Sequence, residues 1–171
     1  MLTNMLTAWS DTAFVLVAFS TGYFLHDFFD MLIYDASQSL SLLVHHIVVC
    51  SAFSLAIFNK TYIAFAVCSL LMEVNSVFLH SRKLIYLHGV SKKSLLYKVN
   101  GILLLITFVN FRILTSAWMS NYVIQHRNEL PFSHFLLSAV GMAFVSVLNI
   151  ELLMTLWRAD FRRDQTKKRE E

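Results

Sequence analysis

Charge is scarce in this sequence: 15% of its 171 residues are Asp, Glu, Lys or Arg, against about a quarter in ordinary soluble domains. A water-soluble domain sets polar faces against apolar ones, so this scarcity excludes a chain that buries a conventional core beneath a charged surface. Basic residues do not occur before Lys60. The opening MLTNMLTAWS, with no charged stretch and no cleavage site, is therefore not expected to act as a signal peptide. Cysteine is nearly absent too. Cys50 and Cys68 each sit inside an apolar run, which leaves no disulfide framework or CxxC metal knuckle to propose, and both read as small packing residues. The single proline, Pro131, and Gly89 fall in loops, so the helices are expected to be mostly unbroken. No internal repeat, low-complexity stretch or second domain is visible.

What the sequence has in abundance is apolar length. Hydrophobic residues make up 57% of it, and runs such as TAFVLVAFSTGYFL, IAFAVCSLLM and GILLLITFVNF are too long and numerous for a small soluble core. A helix needs roughly 20 apolar residues to cross the hydrocarbon. Five segments qualify, at about 12–34, 40–58, 61–81, 95–119 and 132–157, which predicts an all-α, multi-pass transmembrane bundle over residues 1–157 with a charged tail at 158–171. All three tryptophans, Trp9, Trp118 and Trp157, lie at span ends, where amphipathic rings prefer to sit.

Nearly all Lys and Arg fall in two places, SRKLIYLHGVSKKSLLYK between the third and fourth spans and RADFRRDQTKKREE after the fifth. The positive-inside rule puts both in the cytosol. The YDASQS turn is then cytosolic as well, while FNK and YVIQHRNELPFS face the other side. Five spans leave the amino terminus on the non-cytosolic side with nothing to drive its export, so one or more upstream spans are expected to be missing from this chain. The mixed charge of the tail suits a solvated segment that sets orientation, with some attraction to anionic lipid. No feature points to nucleic acid.

The polar residues inside the spans gather at one depth. His26, Asp27 and Asp30 lie in the last third of the first span, His45 and His46 about two turns into the second, Glu73, Asn75 and His80 in the third, Asn100 near the start of the fourth, and Asn149 and Glu151 late in the fifth. Tyr23, His26, Asp27, Asp30 and Tyr34 share one helix face, and Glu73, Ser76 and His80 share another. A carboxylate at mid-bilayer costs at least about 2.5 kcal/mol, so such faces are expected to turn inward. The expectation is a polar chamber opening toward the cytosol and lined by these groups. The bland alternative, hydrogen bonds that merely hold helices together, stands beside it. Arg112 lies apart, in the outer half of the fourth span, with structural and lipid-contact roles both open.

The elements GYFLHDFFD at 22–30, VHH at 44–46, LMEVNSVFLHSRKL at 71–84, LLYKVN at 95–100 and FR at 111–112, in this order and spacing, resemble the TLC-domain family. The resemblance is greatest to the branch of TLC domain-containing proteins of types one and two, and it spans nearly the whole chain. It implies a bundle of six or seven spans around a central cavity. In the ceramide synthases of this family a paired histidine and two aspartates on a later helix are associated with acyl transfer from acyl-CoA. Here His45 and His46 match the paired histidine, but Glu73 and Ser76 stand where the aspartates would be. The nearer branch is associated with control of plasma-membrane phospholipid composition, limiting highly unsaturated acyl chains.

The resemblance therefore implies a regulator of phospholipid acyl composition and membrane fluidity in the plasma membrane, or alternatively the endoplasmic reticulum, with no cofactor and with membrane phospholipids or acyl-CoA as partners. The alternative is an acyltransferase with His45 or His46 as base or transient acyl carrier and Glu73 orienting it. A metal-dependent lipid oxidase needs more converging histidines than one adjacent pair with isolated His26 and His80. A transporter lacks the expected inverted repeats or broken helices.

Overall fold

The computed structural model describes residues 5–34, 40–91 and 93–167, with side chains up to Arg158. The expected YDASQS turn falls mostly outside them, as does the end of the tail. All regular structure among the described residues is helical: α1 (Asp11–Tyr34), α2 (Leu40–Asn59), α3 (Ile63–Leu87), α4 (Leu95–Thr107), a π-helical segment (Phe108–Leu114), α5 (Thr115–Gln125), a short 3₁₀ turn (Arg127–Glu129) and α6 (Phe132–Lys167). With α4, the π segment and α5 forming one continuous span over Leu95–Gln125, five helices among the described residues are long and apolar enough to cross a membrane.

Several helices outrun their apolar stretches. The third continues through SRKLIYL to Leu87, the fourth reaches Gln125, and α6 runs on into the charged tail as far as Lys167. Hydropathy marks where lipid ends, whereas backbone hydrogen bonding carries on into the polar zone beyond it. At the other end of α3 the start is later than expected, at Ile63, because Lys60 and Tyr62 adopt left-handed φ angles of 53° and 62°. A helix cannot begin until those residues are passed.

The core of the first three helices follows helical spacing. Val17, Thr21 and Phe24 of α1 meet Cys50, Phe53 and Ala56 of α2 and Ile63 and Ala66 of α3, all buried. Small residues at several of these contacts let the backbones approach closely, as lipid-embedded packing requires. The outward faces are apolar instead: Val15, Phe19, Phe58, Leu95 and Val147 are all exposed, as lipid-facing side chains should be. Packing centres on α3, which touches α1, α2, α4, the π segment and α5, while α6 packs on α2, α5 and the π segment. Between α3 and α6 lies the bundle interior.

The fourth span is not the unbroken helix expected from its lack of proline and of interior glycine past Gly101. Polar side chains along it bond its own carbonyls: Thr107 Oγ1 to Leu103 O (2.8 Å), Asn110 Nδ2 to Ile106 O (2.8 Å) and Thr115 Oγ1 to Asn110 O (3.1 Å). Such bonds compete with the regular ladder and favour local departures from it. A π turn inserted in an α-helix commonly marks a functional position.

Candidate functional site: a polar-ended interior cavity

Successive residues on a helix point about 100° apart, so an adjacent histidine pair cannot face one way. His46 turns to α1. It is 4% exposed, its Nδ1 lies 2.7 Å from Leu42 O and its Nε2 3.0 Å from Asp27 Oδ2, with the Phe24 ring edge-on at 5.7 Å. A carbonyl only accepts, so Nδ1 donates to it, and both ring nitrogens of His46 are engaged. His45 turns to the interior instead. Its Nε2 stands 3.8 Å from Glu73 Oε1, within ion-pair reach but too long for a hydrogen bond, and its buried Nδ1 has no partner among the described residues.

From Glu73 a polar relay crosses the bundle. Ser76 Oγ donates to Glu73 Oε2 at 2.9 Å and accepts from Arg112 Nη2 at 2.9 Å. Arg112 Nη1 donates to Asn149 Oδ1 at 3.2 Å, and Asn149 Nδ2 reaches back to Arg112 O at 3.4 Å. Side chains of α3, the π segment and α6 are thereby joined, with Asn149 almost completely buried. The Arg112 Nε is buried without a partner among the described residues.

This relay forms one end of a cavity of about 150 Å³ in the bundle interior. His45, Glu73 and Arg112 line that end; Val49, Phe53, Ala66, Met119 and Val145 are among the apolar residues along its length; Tyr62 and His134 line the far end. On α2 the lining runs from His45 to Ala56, on α3 from Glu73 back to Tyr62, and on α6 from Val145 back to His134. At ~1.5 Å per residue each stretch is about 16 Å long. Tyr62 Oη and His134 Nδ1 share a hydrogen bond of 3.1 Å. Gly141 also lines the cavity, and a Cβ there would sit 3.2 Å from Val48 Cγ1, so α6 passes close to α2 at this point.

The expected chamber is thus smaller and differently composed. His45 and Glu73 do line it, whereas Asp27 pairs with His46 at the α1–α2 contact. Asn75 and Asn100 serve as interhelical staples: Asn75 Nδ2 donates to Leu104 O (3.0 Å) and Thr107 Oγ1 (2.9 Å), and Asn100 Nδ2 to Phe78 O (3.1 Å). His26, Asp30, His80 and Glu151 lie on exposed faces, away from the cavity. Among the described residues no group of three or more His, Cys, Asp or Glu side chains is placed to hold a metal. Arg112, set apart by depth counting, stands at the centre. Its helix begins at the end of the bundle that carries the basic α3–α4 loop, and helical side chains lean toward their helix N-terminus, which brings the guanidinium back to the level of Ser76 and Glu73. The Tyr62–His134 pair carried no signal in the sequence beyond two isolated aromatic residues.

A bundle of apolar membrane helices around a slot that is apolar along its length and polar at one end defines an integral, multi-pass membrane protein. A family model for the TLC domain matches residues 3–158. The chain is 40% identical over 154 residues to TLC domain-containing protein 2 of Danio rerio, covering 90% of this chain and 62% of that protein. It is 32% identical to TLC domain-containing protein 1 of Mus musculus, covering all of this chain and 68% of the relative, and 37% identical to TLC domain-containing protein 2 of Homo sapiens over 82% of this chain. The chain therefore belongs to the TLC domain family, and it spans about two thirds of the length of the first two of these relatives. No solved structure matches it.

Proposed function

We propose that this protein regulates the acyl composition of membrane phospholipids, and with it membrane fluidity, by holding a single acyl chain in the interior cavity with the chain's polar end at His45, Glu73 and Arg112. The observation that carries the reading is the cavity itself, apolar along its length and bounded at one end by a polar relay of partly buried side chains. An ionisable group inside a bilayer is by default a candidate functional group, and here three of them, His45, Glu73 and Arg112, line one apolar slot. The basic α3–α4 loop and the Arg158 end of the last span support a cytosolic placement of the polar end.

The test is lipid profiling of cells that lack the native protein, complemented with the intact chain or with His45→Ala/Glu73→Gln. Complementation by the intact chain with loss of effect in the double variant is the expected result. An unchanged profile of polyunsaturated phospholipids in all three cell lines would remove the reading.

One observation favours a second reading, an acyltransferase. His45 Nδ1 has no partner among the described residues while its Nε2 lies 3.8 Å from Glu73, a pair that closes to the orientation of a base or transient acyl carrier once it shortens to hydrogen-bond distance. His46, with both nitrogens engaged, is not equivalent to it. Labelled acyl-CoA incubated with purified protein decides: label on His45, or turnover on amines or lysophospholipids, supports acyl transfer, and neither label nor turnover removes it.

A further inference from the structure

Between Glu73 and Glu129 the chain has no acidic residue, and Arg82, Lys83, Lys92, Lys93 and Lys98 all fall within that stretch. The tail is different, because its basic residues are interspersed with Asp160, Asp164, Glu170 and Glu171. Orientation by the positive-inside rule needs basic residues near span ends and is nearly indifferent to acidic ones beside them. The lack of any opposite charge around the α3–α4 connection is therefore not explained by topology.

The fold gathers Arg82, Lys83, Lys93 and Lys98 at one end of the bundle. α3 stops on a tight turn in which His88 N–H donates to Leu84 O (3.0 Å), Gly89 N–H to Tyr86 O (3.0 Å) and Val90 N–H to Ile85 O (3.2 Å), with Gly89 at a φ of 69° that a side chain would resist. Ser94 N–H donates to Ser91 O (2.9 Å), and α4 starts at Leu95. The Arg82 guanidinium lies over the Tyr97 ring, 5.2 Å from its centroid, which ties the end of α3 to the start of α4. Lys83, Lys93 and Lys98 are exposed, and no carboxylate among the described residues pairs with them.

These charges stand at the level of phospholipid headgroups. Counted from Ile63 at ~1.5 Å per residue, ~30 Å of hydrocarbon is crossed by Arg82, so Arg82 and Lys83 emerge where the phosphates lie and the last turn of α3 occupies the headgroup layer. Leu84, Tyr86, Leu87, Leu95 and Leu96 are large, apolar and exposed beside the lysines. A soluble anion would leave them in water, whereas a lipid covers them with its glycerol and upper acyl carbons while its headgroup meets the basic side chains. We infer that the α3–α4 hairpin is a binding surface for anionic phospholipid, with Lys83, Lys93 and Lys98 facing the headgroup and Arg82 held beside them by Tyr97. This surface is separate from the interior cavity and stands or falls without the acyl-chain reading.

Each lysine beside an anionic headgroup is worth roughly a 5-fold gain in affinity, ~1 kcal/mol at ~1.4 kcal/mol per tenfold. The experiment is native mass spectrometry of the full chain in neutral detergent, titrated with dioleoylphosphatidylcholine, dioleoylphosphatidylserine or phosphatidylinositol bisphosphate. Phosphatidylserine should bind at least ~10-fold more tightly than phosphatidylcholine, and toward ~100-fold if three lysines act in full, with the bisphosphate at least as tight. Lys83→Gln/Lys93→Gln/Lys98→Gln should bring phosphatidylserine to within ~2-fold of phosphatidylcholine, whereas Arg162→Gln/Arg163→Gln in the tail should keep the preference. Phosphatidylcholine adducts, which the variants should retain, show that the fold is intact, and each single Lys→Gln change should cost ~5-fold. Equal binding of phosphatidylserine and phosphatidylcholine by the unaltered protein overturns the inference, as does a preference that survives in the hairpin variant or is lost to the same extent in the tail variant. Displacement of phosphatidylserine by free inositol trisphosphate at matching concentration overturns it too, because the surface would then read soluble polyphosphates and not lipid.

Discussion

Replacing Arg112 with leucine is the sharpest perturbation of the interior, because it removes a charge while keeping most of the apolar volume. The Glu73 side chain, 34% exposed, is left without its positive partner. In the native protein the two groups are joined through Ser76 by hydrogen bonds of 2.9 Å on either side. That geometry sets the charges roughly 5 Å apart, and an effective dielectric of about 20 gives an attraction of ~3 kcal/mol. Because a third of Glu73 is open to the interior, solvation takes back part of this, leaving ~1–3 kcal/mol. Arg112→Leu should lower the unfolding free energy in detergent micelles by about that amount, with a further contribution from the lost bond to Asn149. Glu73→Gln strands the guanidinium in turn. The double variant has no charge to strand, so its destabilisation should fall short of the sum of the singles by ~1–3 kcal/mol. Denaturant unfolding followed by tryptophan fluorescence measures all four proteins. Additivity to within ~0.5 kcal/mol would show that the two charges do not sense one another, and the relay would lose its energetic meaning.

Three further outcomes follow from the same geometry. Asn75→Leu removes two hydrogen bonds that staple α3 to α4, and at ~0.6 kcal/mol per bond in a membrane interior it should destabilise by about 1 kcal/mol in the same unfolding assay while leaving the lipid profile of complemented cells as the intact chain sets it. Gly141→Leu projects a side chain toward the cavity beside Val48 and should cost ~1–3 kcal/mol of overpacking strain in the same unfolding assay, with loss of the lipid-profile effect of the intact chain in complemented cells. Asp27→Asn should shift the ring-nitrogen resonances of His46 in ¹⁵N NMR and leave those of His45 in place, since the Asp27 carboxylate contacts His46 Nε2 and His45 faces Glu73.

The five helices were legible because the apolar runs that make them are longer than any soluble core requires, and their observed ends differ mainly where polar sequence lets a helix continue past the lipid. Part of the site was legible as well. A histidine pair and a glutamate in such runs have to meet a partner, and His45 does come to Glu73. What the sequence could not separate was which polar groups share a cavity and which merely share a level. His26 and Asp27 are neighbours, yet one is exposed and the other holds His46, because 100° of helical rotation divides them. Depth along an axis is readable from residue counts; azimuth depends on how neighbouring helices turn about one another.

The fourth span shows how much hangs on azimuth. Asn100, Leu104 and Thr107 form its buried stripe, and a regular helix would carry that stripe on to Phe111, Leu114 and Trp118. Instead Leu114 and Trp118 are exposed at 56% and 44%, while Ser116, Met119 and Val123 are buried. The inward face has therefore moved on by about one residue across the π segment, as the insertion of one residue into a helical turn requires. Where unbroken periodicity would bring Phe111 to the interior, the shifted register brings Arg112, whose guanidinium can then meet Ser76 and Asn149. The polar side chains that bond the carbonyls of Leu103, Ile106 and Asn110 lie on either side of this shift, so the same few residues that loosen the backbone also decide which neighbour in the FR pair reaches the cavity.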